Sequence, residues 1–122
     1  MLNSSFSQTI QVSENQTAAF LGSGTLSVFG SPALIALMEN TAMKLLINIP
    51  KDSTSVGISM NMQHLKASPV GATIKCTATL INIEGRKYTF KIEAIDEMGN
   101  LIGKGIHERV EVNIGKFMSK IN

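Results

Sequence analysis

The sequence is poor in cysteine, tryptophan and arginine. Its 122 residues include one cysteine, Cys76, no tryptophan and only two arginines. A single cysteine cannot close a disulfide within the chain, which favours a reducing compartment such as the cytoplasm. A formal net charge of only +2 and a shortage of aromatic residues argue against a nucleic-acid partner. We therefore expect a cytoplasmic protein that does not bind nucleic acid.

Long hydrophobic runs and recognisable leader segments are also missing. The longest strictly apolar run covers residues 33–38, whereas a membrane-spanning helix needs roughly 20 apolar residues. Residues 1–10 have no basic region followed by an apolar stretch, so we expect neither a secretory leader nor a membrane partner. His64, Cys76 and His107 lack the spacing of metal ligands, and the glycines form no dinucleotide-binding motif. We expect no cofactor.

The length and the hydrophobic content predict one domain over residues 1–122. With 43% hydrophobic residues, such a chain can bury a core without a disulfide or a metal. Its clearest local pattern is a helix that Ser31 opens as the N-cap, with Pro32 at the first helical position. The following run, Ala33 to Ile47, carries only two charges, Glu39 and Lys44. A helix that is apolar nearly all round is predicted to be buried on nearly every side.

The remaining pattern predicts strands, because apolar and polar residues alternate with a period of two. A short strand precedes the helix near residues 6–12, and four follow it. One face of the first following strand is predicted to carry Val56, Ile58, Met60, Met62 and His64. Turn residues at 84–87 and 96–100 predict hairpins between antiparallel neighbours. The fold class is therefore α+β, with an antiparallel sheet wrapped around one long central helix.

Three polar side chains occupy positions where the pattern predicts burial or a helix terminus: Ser31, Glu39 and His64. Each has a structural interpretation, namely a helix cap, an ion pair and a strand-edge hydrogen bond. Together, a carboxylate on the helix, a histidine on the covering strand and the free N–H groups of a helix start favour an acyl-transfer site. Ser31 and Glu39 are about 12 Å apart along a helix axis. Either the substrate spans them or two subunits supply them, which points to a dimer interface.

Four segments of the chain form a recognisable set: Gly22-Ser23-Gly24, Val28 to Glu39, His64 with Ser68-Pro69-Val70-Gly71, and Gly105 to Arg109. They resemble the hot-dog-fold thioesterases related to fluoroacetyl-CoA thioesterase, and the resemblance runs from about Val12 to Phe117. It implies a hot-dog fold, a homodimer whose sheets join edge to edge, and an acyl-CoA site between the subunits.

The resemblance also implies the roles of individual residues. The family's catalytic Thr, Glu and His correspond to Ser31, Glu39 and His64, and substrate-binding positions are implied at Phe29, Gly30 and Gly71. Where the family commonly has Ala-Thr-Pro, this chain has Gly30-Ser31-Pro32. Serine keeps the hydroxyl but loses the methyl group that restricts its rotamer. The hydroxyl chemistry is therefore expected to persist, whereas the family's acyl specificity is not carried over.

The implied activity is hydrolysis of a small acyl-CoA thioester to the free acid and CoA. The helix start near Ser31 would polarise the thioester carbonyl, because its N–H groups and dipole favour developing negative charge. Glu39 would act either as the nucleophile or as a base on water, and His64 would transfer the proton. A non-catalytic acyl-CoA-binding module is the main alternative, and a hydratase or dehydratase is a further one. His107 is interpreted as a structural or interface residue.

Overall fold

The computed structural model describes all 122 residues as one five-stranded antiparallel sheet with a long helix packed on one face. The strand order is β1-β3-β4-β5-β2, which leaves β1 and β2 at the two edges. The elements, in chain order, are β1 (Ser5–Gln11), α1 (Ala18–Leu21), α2 (Ser31–Leu45), β2 (Ser53–His64), β3 (Thr73–Glu84), β4 (Lys87–Asp96), β5 (Leu101–Asn113) and α3 (Ile114–Ser119). The predicted α+β class is confirmed. None of the helices is long and apolar enough to cross a membrane.

Two tight turns produce the predicted hairpins. Gly85, with φ of 62°, lies between β3 and β4, and Gly99, with φ of 81°, lies between β4 and β5. Both adopt the left-handed conformation that glycine reaches without steric cost. Asp96 fixes the second turn, because its Oδ1 accepts the backbone N–H groups of Met98 at 3.0 Å and Asn100 at 2.9 Å.

The long helix begins one residue earlier than predicted. Gly30 is the N-cap, with φ of −77° and ψ of 144°, and Ser31 is the first helical residue. The prediction that Ser31 caps the helix is therefore wrong. A β-carbon on Gly30 would lie 3.1 Å from the backbone N of Ala18, so any larger residue would have to displace that backbone by a few tenths of an ångström, and the close approach favours glycine. The Ser31 hydroxyl is consequently free for another partner.

Only one side of α2 is buried against the sheet. Its buried residues are Leu34, Leu37, Met38, Thr41, Ala42 and Leu45, and they join a core that includes Ile74, Phe90 and Ile92. Ala36 and Met43, in contrast, are exposed. The expectation that the helix is buried on nearly every side is wrong for this chain, because one five-stranded sheet covers a single side of it.

The edge strand β2 contains a β-bulge that its sequence pattern conceals. The pairing of β2 with β5 shifts register between Gly57 and Ser59. After the shift, Met60 and Met62 pack against the core as predicted. Before it, Ser55 is buried and Gly57 faces Glu39, whereas Ile58 is 53% exposed. The predicted single face from Val56 to His64 is therefore wrong in its first half, since a bulge reverses which residues face the helix.

Candidate active site

The start of α2 and the end of β2 meet in a hydrogen-bonded pair. Ser31 Oγ lies 2.8 Å from His64 Nδ1. Ser31 is available because Gly30 is the N-cap residue, and His64 is the last residue of β2. The structure thus brings two of the three predicted catalytic side chains into direct contact at a helix N-terminus.

The His64 ring lies in an apolar setting that keeps it neutral. Phe29 is 1% exposed and meets the imidazole edge-on, with ring centroids 6.3 Å apart and an interplanar angle of 79°. His64 Nε2 is buried and has no hydrogen-bond partner within the chain. Burial lowers the pKa of His64 below its ordinary value of 6.5, because desolvation disfavours the charged imidazolium. At neutral pH the ring is therefore uncharged and able to accept a proton.

Phe29 and Gly30 are held in place by backbone hydrogen bonds on both sides. The Phe29 N–H donates to Ser68 O at 2.8 Å, and the Gly30 N–H donates to Gln16 O at 2.8 Å. An open cavity of about 330 Å³ lies against this segment, and its lining includes Phe29, Gly30, Ser31 and His64. Four of the six predicted site residues are therefore brought together.

Gly71 does not line this cavity. Its φ of 90° and its N–H bond to Val12 O, at 2.8 Å, identify it as the glycine of a tight turn. That conformation accounts for glycine at this position, and its predicted role in substrate binding stays a prediction.

Glu39 lies away from Ser31 and His64, among residues of β2 and β5. Gly57 marks the meeting point, since a β-carbon placed on it would lie 2.8 Å from Glu39 Oε2, 3.1 Å from His107 Cε1 and 3.4 Å from Arg109 Nη1. Glu39 is half-buried, whereas His107 is 0% and Arg109 7% exposed. The site within one chain therefore has two parts, a serine–histidine pair and a carboxylate beside a buried cationic group.

The guanidinium of Arg109 is held by three hydrogen bonds that the sequence did not predict. Its Nε donates to Ser55 Oγ at 2.8 Å, its Nη2 to Ser55 O at 2.9 Å, and its Nη1 to His107 Nε2 at 3.2 Å. The available signal was the spacing of His107 and Arg109, which places both on one face of a strand. Pattern reasoning could not bring them to Glu39, because that requires the pairing of β5 with β2. No group of three His, Cys, Asp or Glu side chains is arranged to hold a metal ion.

Comparison with known proteins identifies the family. The sequence profile described as "Fluoroacetyl-CoA-specific thioesterase" matches residues 12–114. The chain belongs to this family. The fluoroacetyl-CoA thioesterase of Streptantibioticus cattleyicolor is 30% identical over 95 residues, which cover 77% of this chain and 68% of that protein. The predicted family is thereby confirmed, and with it a thioester hydrolase of the acyl-CoA class.

Solved structures confirm the hot-dog fold. A solved structure of the fluoroacetyl-CoA thioesterase superposes with a TM-score of 0.94 at 26% identity, covering 99% of this chain and 94% of that one. A mutant of the same enzyme in complex with fluoroacetate and CoA gives a TM-score of 0.90 at 26% identity, covering 96% and 98% of the two chains. A thioesterase superfamily member from Thermus thermophilus, 22% identical, gives a TM-score of 0.91 and covers 99% of this chain and 90% of that one. Its likeness bears on the fold alone.

Proposed function

We propose that this protein is a cytoplasmic homodimeric thioesterase of small acyl-CoA substrates, with Ser31, Glu39 and His64 as its catalytic residues. The observation that carries the proposal is the 2.8 Å contact between Ser31 Oγ and His64 Nδ1 at the start of α2, beside an open cavity. A small acyl group is proposed because the relative from Streptantibioticus cattleyicolor is a fluoroacetyl-CoA thioesterase, and fluoroacetyl is a two-carbon acyl group. The buried, unpaired Cys76 fits a reducing compartment.

The reaction adds water across the thioester, so that a C–O bond forms, the C–S bond breaks and CoA leaves as the thiol. The amino-terminal N–H groups of α2 stabilise negative charge on the carbonyl oxygen. Ser31 orients His64 or the substrate through its hydroxyl. The neutral His64 moves the proton, a role that its lowered pKa suits. Glu39 either attacks the carbonyl carbon or activates water, and both routes require an ionised carboxylate.

A second copy of the chain would bring Glu39 to the serine–histidine pair. Strand β2 is an edge strand, whose free backbone groups are suited to pairing with another strand. If two copies of β2 pair antiparallel about an axis at Asn61, with Ile58 as the extra residue of the bulge, the partner's His64 lies opposite Gly57. Since Gly57 adjoins Glu39, each site would take its carboxylate from one subunit and its Ser31–His64 pair from the other.

The first test is release of free thiol from short, branched, aromatic and long acyl-CoAs by the wild type, Glu39→Gln and His64→Ala. We expect turnover of a short acyl-CoA that both substitutions lower by orders of magnitude, with folding verified by circular dichroism. Tight acyl-CoA binding without thiol release by the wild type would instead favour a non-catalytic binding module. Loss of substrate with an enoyl absorbance change but no thiol would favour a hydratase.

The second test asks whether two subunits share each site. Glu39→Gln and His64→Ala chains are unfolded together, refolded as a mixture and assayed against each protein refolded alone. Random pairing yields mixed dimers with one intact site, so the mixture should recover about a quarter of the wild-type rate per chain. Recovery of no activity, with dimers verified by light scattering, would contradict a site shared between subunits.

A further inference from the structure

Arg109 is a buried cation without an ion-pair partner. It is 7% exposed, and the ion pairs of the chain within 4 Å involve only Lys66 and Lys87 as cations. Glu39 Oε2 and Arg109 Nη1 nevertheless lie 2.8 and 3.4 Å from one point, the position of a β-carbon on Gly57. A flexible arginine beside a carboxylate would be expected to close this gap and form a charge-assisted bidentate pair. Something therefore keeps the two groups apart.

The hydrogen bonds of His107 explain what keeps Arg109 apart from Glu39. Its Nδ1 lies 2.8 Å from Ser59 O, and since a carbonyl oxygen only accepts, Nδ1 carries the proton. The neutral ring then has a lone pair on Nε2, which accepts from Arg109 Nη1 at 3.2 Å. The pKa of His107 is lowered, mainly by burial and to a lesser extent by the nearby Arg109 charge, and this favours the neutral ring. The ring is further fixed by Phe90, stacked with centroids 6.1 Å apart.

We propose that His107 is a positioning residue, which together with Ser55 holds the Arg109 guanidinium back from Glu39. Ser55 binds Nε and Nη2 at 2.8 and 2.9 Å, while His107 binds Nη1 from the other end. A planar guanidinium held at both ends cannot turn towards the carboxylate. Glu39 thus remains unpaired beside a fixed positive charge, and the space over Gly57 stays open. The inference rests on the proposed catalytic role of Glu39.

The test compares His107→Gln with His107→Leu. Glutamine retains a carbonyl oxygen that can accept from Arg109, whereas leucine fills the space without an acceptor. We expect His107→Leu to lower kcat by about 10- to 100-fold, as expected for a misplaced reacting group, with KM changed less than about threefold because His107 is fully buried and presents no surface to the substrate. His107→Gln should retain kcat within about threefold of the wild type. Equal losses in both variants would overturn the inference.

A double-mutant cycle with Arg109→Met separates positioning from folding. If His107 acts through Arg109, His107→Leu should lower kcat little or not at all once the arginine is gone. The same fold-loss with and without Arg109 would contradict this mechanism. Ser55→Ala replaces His107→Leu in the cycle if the leucine variant does not fold. Glu39→Gln distinguishes failure of this inference from failure of the proposed function. Wild-type turnover by Glu39→Gln would contradict the proposed catalytic role of Glu39, whatever the result of the double-mutant cycle.

Discussion

Gly57→Ala tests whether the Glu39 carboxylate must keep its position. The added β-carbon would lie 2.8 Å from Glu39 Oε2 and 3.1 Å from His107 Cε1. Hydrogen bonds and stacking hold His107, so Glu39, which is only half-buried, is the group that moves. To reach an ordinary contact distance, its carboxylate must retreat by roughly half an ångström or more.

The magnitude follows from this displacement. A shift of about 1 Å at a reacting group can cost about 100-fold in rate, so we expect Gly57→Ala to lower kcat by about 10- to 100-fold. The free energy of unfolding should change by less than about 1 kcal/mol, because alanine gains about 0.5–1 kcal/mol over glycine within a strand, which offsets the displacement of a mobile side-chain end. Thiol release and thermal unfolding measure the two quantities on the same preparation.

Gly103→Ala is the matched control. Its β-carbon would lie just as close, 2.8 Å, but to Leu34 Cδ2 in the fully buried core. Overpacking there should lower the free energy of unfolding by about 1–3 kcal/mol, while turnover of the folded protein stays near that of the wild type. A wild-type kcat for folded Gly57→Ala would refute the reasoning. So would a loss of stability in Gly57→Ala as large as that of the control.

Three further predictions concern pH and the core. Burial lowers the pKa of His64, so kcat/KM should fall only below pH 6.5, and a pH–rate profile with an acidic midpoint above 6.5 would contradict a neutral His64 as proton acceptor. The lowered pKa of the buried His107 means that the unfolded chain binds more protons below pH 6.5; the melting temperature should therefore fall from pH 7 to pH 5, and fall less in His107→Gln. Leu34→Ala, which empties a fully buried position of α2, should lower the free energy of unfolding by about 2–5 kcal/mol in chemical denaturation; a loss below about 1 kcal/mol would show that the core closes around the vacancy.

Local signals predicted the hairpins and the long helix, because each depends on neighbouring residues. Gly85 and Gly99 have the left-handed conformations that their turns require, and the alternation in β3 and β4 matches their burial. The N-cap of α2 was predicted wrongly because the contact that favours glycine at position 30 involves a residue outside the helix. That contact is the close approach of Ala18, and α1, which contains Ala18, has only four residues and no periodic signal of its own.

The two parts of the candidate site were not equally accessible to sequence reasoning. Ser31 and His64 each terminate an element, and their contact follows once β2 covers the start of α2. The partners of Glu39 depend instead on the register of β2 against β5, in which Gly57 is opposite Arg109 and Met60 is opposite His107. Local periodicity contains no information on such pairing between strands about 50 residues apart.

The bulge in β2 explains why both parts can exist on one face of the sheet. Gly57 and His64 are an odd number of residues apart, and in a regular strand side chains at such a spacing point to opposite faces. Gly57 nevertheless faces Glu39, and His64 contacts Ser31. The extra residue inserted between Gly57 and Ser59 turns the second half of the strand over. Consequently the carboxylate with its buried arginine and the serine–histidine pair lie on the helix-facing side of a single edge strand, where pairing of two copies of β2 would bring them together.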